Sequence, residues 1–428
     1  MKDTLKSIVV KILITEAKWL INRHKPTIIA ITGSVGKTTT KDAIYAAIKN
    51  STSARKSQKS FNSEIGVPLT VLGLANGWSN PFIWTKNIID GLIIALFSKD
   101  YPKVLILETG IDRPGDMAKI ASWIKPDLVV LTRLPDVPVH VEYFSSPEAV
   151  VTEKMLLVSA LKTTGTFIYN ADDTIIAEQL PNVLQPSISF SRYLASDFRG
   201  TGDRIVYADD VPTGTEFTIT AKAQKYQIKL LDTIGTQHVY ACSAALAVAS
   251  VIGVPLEKAA VDLCEFTSPN GRMRLIPGLK GSLLIDDTYN SSPIATEQAL
   301  ETLKEIKYAK RKIAILGDML ELGRFSSIEH EKVGKVIPGT AQILITIGVR
   351  ARKIAESALA AGLSEKNIYQ YDDVDRAGRE LQAFLKPGDV VLVKASQSIR
   401  AERIIEEVMA NPEQVQDQLV RQDTNWKK

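Results

Sequence analysis

The sequence predicts an α/β protein of two units, each a mostly parallel sheet flanked by helices, the first with antiparallel strands appended. Three observations carry this expectation. Short apolar runs that end in polar or charged residues alternate with helix-period segments along most of the chain. The first such run leads into a glycine-rich loop and then a helix. A second series of the same kind starts after Ser268-Pro-Asn-Gly271, the clearest linker signal present.

The elements follow in order. Residues 1–25 read as an N-terminal amphipathic helix, with Lys6, Lys11 and Lys18 set among apolar residues. The first unit, 26–268, opens on the run Thr27-Ile-Ile-Ala-Ile-Thr32, which enters the loop Gly33-Ser-Val-Gly-Lys-Thr-Thr39. Lys41 to Ile48 then puts Ala43, Ile44, Ala47 and Ile48 on one helical face. Strand, tight glycine turn and helix together aim backbone N–H groups at a polyphosphate. Lys37 is placed to neutralise phosphates and Thr38 to offer a hydroxyl to Mg²⁺, so ATP or GTP is the expected ligand. The loop is a shortened G-x-x-G-K-T-T form, because Ile31 stands where the longer P-loop carries glycine.

Further strands are expected at Val104–Leu107, ending in Glu108, at Leu128–Leu131, and at Thr166–Tyr169. Phe82 to Phe97 is strongly apolar but holds Lys86 and Asp90 and is too short to span a bilayer comfortably. Packing helices are the plain reading of this segment and of the N-terminal helix, with peripheral membrane attachment as the alternative. From Ser187 to Leu231 short alternating runs predict antiparallel strands. The second unit, 269–410, is a Rossmann-like series without the G-x-G-x-x-G fingerprint, which gives no support to a nicotinamide site. The tail, 411–428, is polar and expected to fray.

Composition narrows the function. A 428-residue chain with 45% hydrophobic and 23% charged residues is an ordinary globular protein large enough for two or three domains. A net charge of +4 without a dense basic, aromatic-interleaved stripe suits small anionic or peptide substrates and excludes nucleic acid as the expected partner. Cys242 and Cys264 have no metal-ligand spacing and read as free core thiols. Met1 to Ile21 lacks a signal-peptide cleavage site. A cytoplasmic monomer is expected, with the inner membrane face as its site of any attachment.

Four constellations carry candidate chemistry. Glu108, at a strand end facing the loop, can hold Mg²⁺. His140 follows the Pro-rich stretch Leu134-Pro-Asp-Val-Pro138 and is either a metal ligand or a loop hydrogen-bonder. Lys154 has Val150, Val151, Leu157 and Val158 as helical neighbours, so it either emerges from a buried face or serves a function that tolerates burial. Asp286-Asp-Thr-Tyr-Asn290, at a strand end before Pro293, can bind ribose or phosphate-bound Mg²⁺, or cap the next helix.

Taken together the motifs resemble the Mur ligase family, in particular its members that add D-alanyl-D-alanine to a cell-wall precursor. The matching stretches run from Pro26 to Glu406. They are Ile31–Thr40, Phe61-Asn-Ser-Glu-Ile-Gly-Val-Pro68, Leu107-Glu-Thr-Gly110, His140–Phe144, Asn170-Ala-Asp-Asp173, Asp286–Asn290, Gly317–Gly323, and Val393-Lys-Ala-Ser396 with Arg400. The resemblance implies a P-loop central domain and a Rossmann-like C-terminal domain that close on ATP and Mg²⁺. It implies ATP binding by Gly33, Ser34, Val35, Gly36, Lys37, Thr38, Thr39, Arg272 and Asp287. Metal ligation would fall to Thr38, Glu108, His140 and Lys154, the last as a CO₂-derived carbamate, with Lys37, Lys154 and His140 catalytic. Asn62, Lys394, Ser396 and Arg400 would meet substrate.

The implied reaction is ATP-driven amide formation through an acyl phosphate. Family members carry an N-terminal domain that grips UDP, and about 25 residues ahead of the first strand are too few for one. The apolar Trp78 to Phe97 stretch and the amphipathic N-terminus make a ligase for a lipid-linked acceptor one alternative; Gln237-His-Val-Tyr-Ala241, where the family has a His-Asn pair, makes a nucleotide-binding subunit without catalysis another.

Overall fold

The computed structural model describes residues 2–58, 61–78, 80–423 and 426, with side chains from Lys6 onward. Strands β1 (Thr27–Thr32), β2 (Ala54–Lys56), β3 (Val104–Glu108), β4 (Leu128–Leu131), β5 (Thr166–Asn170), β6 (Ser187–Ser191), β7 (Phe198–Ala208), β8 (Val211–Ala221) and β9 (Gln224–Leu231) form one sheet. Its order is β2-β3-β1-β4-β5-β6-β7-β8-β9. Strands β10 (Arg274–Gly278), β11 (Ser282–Asp287), β12 (Arg311–Gly317), β13 (Ile343–Ile347), β14 (Ile368–Tyr371) and β15 (Asp389–Lys394) form the second, in the order β10-β11-β15-β12-β13-β14. Both are parallel for most of their width, as the alternating pattern predicts, with β10 antiparallel at one edge and β7–β9 antiparallel at another.

The strand β1 shows why the first sheet is layered. Ile29 and Ile31 face one core, shared with Ala43, Ile44 and Ala47 of the helix Lys37–Ile48 and with Val239 and Leu246 of the helix Gln237–Val251. Ile28 and Ala30 face the other, shared with Leu13, Leu20, Val150 and Leu157. A strand buried on both faces reads as a continuous apolar run, which is how TIIAIT reads. β1 pairs in parallel with β3 on one side and β4 on the other. Chain direction across the sheet reverses there, which opens a crevice at the carboxyl ends of these strands.

Helices α1 (Lys2–His24), α2 (Lys37–Ile48), α3 (Gly66–Leu72) and α4 (Pro81–Phe97) follow in order. α1 packs on α3 and α4, with Leu13, Ala17 and Leu20 fully buried. α4 starts at Asn80, whose side chain accepts from the N–H groups of Phe82 and Ile83, with Pro81 at its first position. Only Asn87, Gly91 and Ala95 of α4 are buried among its residues. Gly91 permits the close approach to α1, since a Cβ there would collide with the Glu16 carboxylate.

Burial between these helices lifts the Glu16 carboxyl from 4.5 to about 7. A native pKa raised above the unfolded one gives stability that is present below pH 4.5 and fades as pH climbs through 7. Glu16→Gln is therefore expected to flatten the fall in thermal midpoint between those values, and a slope identical to that of the unmodified chain would refute the assignment.

The structure corrects three expectations. β6 pairs in parallel with β5, so the antiparallel portion begins only at the β7–β8 pairing. Cys242 is buried, but Cys264 is exposed at the end of its helix and is no core thiol. The tail does not fray over its described part: Val415 and Leu419, four apart, enter the core beneath β15. Arg421 is buried against Glu402 Oε2 at 2.7 Å. Tail residues 424, 425, 427 and 428 lie outside the described residues.

Candidate active site

The glycine loop sits at the carboxyl end of β1. Gly33 has φ 142° and a Cβ there would strike the Thr132 hydroxyl, while Gly36 has φ 88° and immediately precedes α2. Both positions require glycine. Thr132 Oγ1 donates to Val35 O at 2.6 Å, and Ser34 N donates to Arg133 O at 2.7 Å, so the end of β4 braces the loop. Thr38 and Thr39 lie buried in the first turn of α2.

Glu108 pairs across from Ile31 in the β1–β3 register and is buried. Its Oε1 accepts from Thr38 Oγ1 at 3.1 Å and from Asn62 Nδ2 at 3.4 Å, and its Oε2 stands 3.4 Å from Lys41 Nζ. Mg²⁺ in phosphate-binding loops takes few protein ligands and completes its shell with phosphate oxygens and water. A threonine hydroxyl and a carboxylate side by side at the loop fit that requirement. Among the described residues, no group of three or more His, Cys, Asp and Glu stands in metal-binding arrangement.

Two lysines meet at one carbonyl. Lys37 Nζ donates to Gly33 O at 3.0 Å and Lys154 Nζ donates to the same atom at 3.3 Å. Lys154 comes from the helix Pro147–Ser159, started by Ser146 and Pro147. Desolvation pushes both ammonium pKa values down, and the neighbouring Lys37 charge pushes Lys154 further, well below the ordinary lysine range.

His140 stands at φ 71°, its Nδ1 2.6 Å from Glu321 Oε2 and its Nε2 3.8 Å from Asp112 Oδ1. Glu321 belongs to the second unit, and its carboxyl is held below the usual value chiefly by the hydrogen bond to His140. The His140–Glu321 contact therefore ties the two units together beside the crevice.

In the second unit, Asp287 and Lys394 are register partners at the ends of β11 and β15. Lys394 Nζ lies 2.6 Å from Asp287 Oδ2 and donates to Asn290 O at 3.0 Å, with both side chains buried. Asp286 accepts from Gly271 N and from the Thr288 N–H and hydroxyl, yet burial still raises its carboxyl to about 6. The Arg272 guanidinium lies over the Tyr289 ring at 4.3 Å. Its charge lowers the pKa of both Lys37 and Lys394, so it stands within electrostatic reach of both units' lysines.

The structure thus brings Gly33, Ser34, Val35, Gly36, Lys37, Thr38, Thr39, Asn62, Glu108 and Lys154 together at one crevice. His140 is engaged by Glu321. Ser396 and Arg400 turn into their own unit: Ser396 Oγ accepts from Leu320 N at 2.9 Å, and Arg400 pairs with Glu402 at 2.5 Å and donates to Trp426 O. Sequence reasoning passed over Glu321, which lies inside a quoted motif but in a loop whose acid has no periodic signal. It also passed over Arg421, whose partner is set only by the fold.

A P-loop unit with a buried carboxylate and a desolvated lysine at the loop, faced by a second α/β unit, is an arrangement suited to an ATP-dependent ligase. The Mur ligase middle domain matches residues 31–84 and 85–249, the Mur ligase glutamate ligase domain matches residues 271–397, and the chain belongs to the Mur ligase family.

It is 28% identical over 390 residues to the UDP-N-acetylmuramoyl-tripeptide–D-alanyl-D-alanine ligase of Bacillus subtilis, covering 90% of this chain and 76% of the relative. The enzyme of the same description from Mycobacterium leprae is 30% identical over 397 residues, covering 87% and 71%. The crystal structure of MurF ligase from Thermotoga maritima in complex with ADP superposes with a TM-score of 0.75 at 25% identity, covering 93% of this chain and 83% of that one. The chain is a MurF-like, ATP-dependent acid–amino-acid ligase.

Proposed function

We propose that the chain joins D-alanyl-D-alanine or a similar amine to the free carboxylate of a peptidoglycan-precursor peptide, by way of an acyl phosphate. The observation that carries this reading is the meeting of Lys37 and Lys154 at Gly33 O beside the Thr38–Glu108 pair. Lys37 and the N–H groups of Gly33 to Thr39 hold the β- and γ-phosphates, with Arg272 and Asp287 meeting nucleotide from the second unit. The acceptor carboxylate attacks the γ-phosphorus and ADP leaves. The amine then attacks the acyl carbon, a proton is lost from nitrogen, and phosphate departs. Asn62 is assigned to the substrates, and Lys394, Ser396 and Arg400 would join it by releasing the partners they hold in the second unit. Closure of the second unit excludes water from the acyl phosphate.

Thr38, Glu108 and His140 would hold Mg²⁺, which supplies charge neutralisation during phosphoryl transfer. His140 would exchange Glu321 for that role. Lys154 is suited to carbamylation because CO₂ reacts with a neutral amine, and its depressed pKa keeps the amine neutral more readily. The nitrogen bonds to the CO₂ carbon and releases a proton, turning a misplaced cation into a carboxylate.

A second reading keeps the chemistry and takes a lipid-linked acceptor, favoured by the outward apolar side chains of α4. ADP release by the purified chain with Mg²⁺ and bicarbonate tests both. Turnover that needs D-Ala-D-Ala and a UDP-linked muramoyl tripeptide is the expected result. Turnover only with the lipid-linked tripeptide selects the second reading, and no turnover with either, despite ATP binding, overturns both.

A further inference from the structure

α4 is predominantly apolar, with Lys86, Asn87 and Asp90 its strongly polar residues, yet much of its apolar surface faces solvent. Phe82, Ile89, Leu92, Ile93, Leu96 and Phe97 lie on its outward side, Phe82 at 83% and Phe97 at 71% exposure. At 100° per residue these six fall within one continuous arc, opposite the buried Asn87, Gly91 and Ala95. Lys86 stands within that arc and Asp90 at its edge, and the two pair at 2.6 Å. Contiguous exposed apolar surface of this kind marks an interaction site.

Basic and aromatic side chains stand on the elements next to this face. α1 runs beside α4 and turns Lys11, Lys18 and Trp19 outward. Arg23 caps the far end of α4, donating to Ala95 O and Leu96 O, and the exposed Lys99 and Asp100 follow shortly after. Trp78 stands exposed ahead of the helix. A largely apolar face with phenylalanines at both ends, crossed by the Lys86–Asp90 pair and accompanied by basic side chains and indoles, has the chemistry of a helix lying in a lipid interface. Among the described residues no helix is long and apolar enough to cross a membrane.

We propose that α4, flanked by α1, is a docking surface for an anionic lipid bilayer, lying in the plane of the headgroups. Its apolar arc enters the acyl boundary while Lys11, Lys18, Arg23 and Lys99 face lipid phosphates. The proposal holds for either acceptor, because it concerns attachment and not chemistry.

The test is sedimentation of the full chain with sucrose-loaded vesicles of phosphatidylglycerol and phosphatidylethanolamine, against vesicles of phosphatidylcholine alone. Binding to the anionic vesicles, weakened by salt, is expected. The triple variant Phe82→Ser, Ile89→Ser, Ile93→Ser should lower partitioning by about tenfold or more, while circular dichroism and the thermal midpoint stay unchanged. Lys11→Glu with Lys18→Glu should remove the preference for the anionic lipid.

Absence of sedimentation with either vesicle overturns the proposal. So does a wild-type dimer that the triple variant converts to monomer without any vesicle binding, since a second copy would then cover the face. Turnover of the triple variant on water-soluble substrates reads the ligase assignment separately.

Discussion

Lys154→Ala is expected to bind ATP with near-normal affinity and to lose turnover by about a thousandfold, the scale at which removal of one charge-stabilising group is felt in a closed site. The side chain is buried, its ammonium touches a carbonyl already used by Lys37, and burial with the Lys37 charge outweighs the support that Asp112 and Glu153 give a cation. If the lysine works as a carbamate, activity should fall in CO₂-depleted buffer and return with bicarbonate, and a small carboxylate such as formate should partly restore Lys154→Ala. The mass of one CO₂ should be found on the helix Pro147–Ser159 and vanish in the variant.

A second variant separates function from stability. Lys154→Met keeps the volume and removes a desolvated charge, so the thermal midpoint should rise even as turnover disappears. The penalty of the depressed lysine is fully present below its native pKa and fades as pH climbs to 10.5, so Lys154→Met should also lose that part of the rise in stability with pH. Full turnover in Lys154→Ala, or no bicarbonate dependence in the unmodified chain, would sink the carbamate.

The next largest effect is expected at the Asp287–Lys394 pair. Asp287→Ala leaves the Lys394 ammonium buried with its hydrogen bond to Asn290 O and the more distant Asp286 charge, and should destabilise the second unit by about 3–5 kcal/mol. Asp287→Leu combined with Lys394→Met removes both charges and should recover most of that loss, because a buried ion pair and an apolar pair of similar volume are often equally stable. Denaturant unfolding with hydrogen exchange on β11 and β15 reads both. A single variant within about 1 kcal/mol of the unmodified chain would mean that water reaches Lys394.

Much of this was legible in the residues. The run Thr27–Thr32 with Gly33 and Gly36 located the loop, because a parallel strand buried on both faces and a left-handed glycine before a helix each leave a strong local mark. Lys154 stood out because a lysine ringed by valines and leucines at helical spacing is improbable without a reason. The direction of β6 was not legible, since the alternation in Ser187–Ser191 describes a half-buried strand of either orientation. The tail misled for a related reason: its sparse apolar residues Val415 and Leu419 find a core only after β15 is in place, and Arg421 becomes neutralised only when Glu402 arrives beside it. Glu321 was invisible as a partner of His140 because the contact spans about 180 residues and depends on how the two units meet.

The strand order of the second sheet has a consequence for how the chain is made. β15 lies between β11 and β12, although it is the last of these strands to be synthesised. The sheet's central seam must stay open until residue 394 has left the ribosome, while every strand of the first sheet is already available by residue 231. Domains fold as units during synthesis, amino-terminal first. A completed phosphate-binding half therefore spends the remainder of translation tethered to an unfinished partner whose apolar strands β11 and β12 are exposed as neighbours of an empty slot. That interval is when a chaperone would have most to hold.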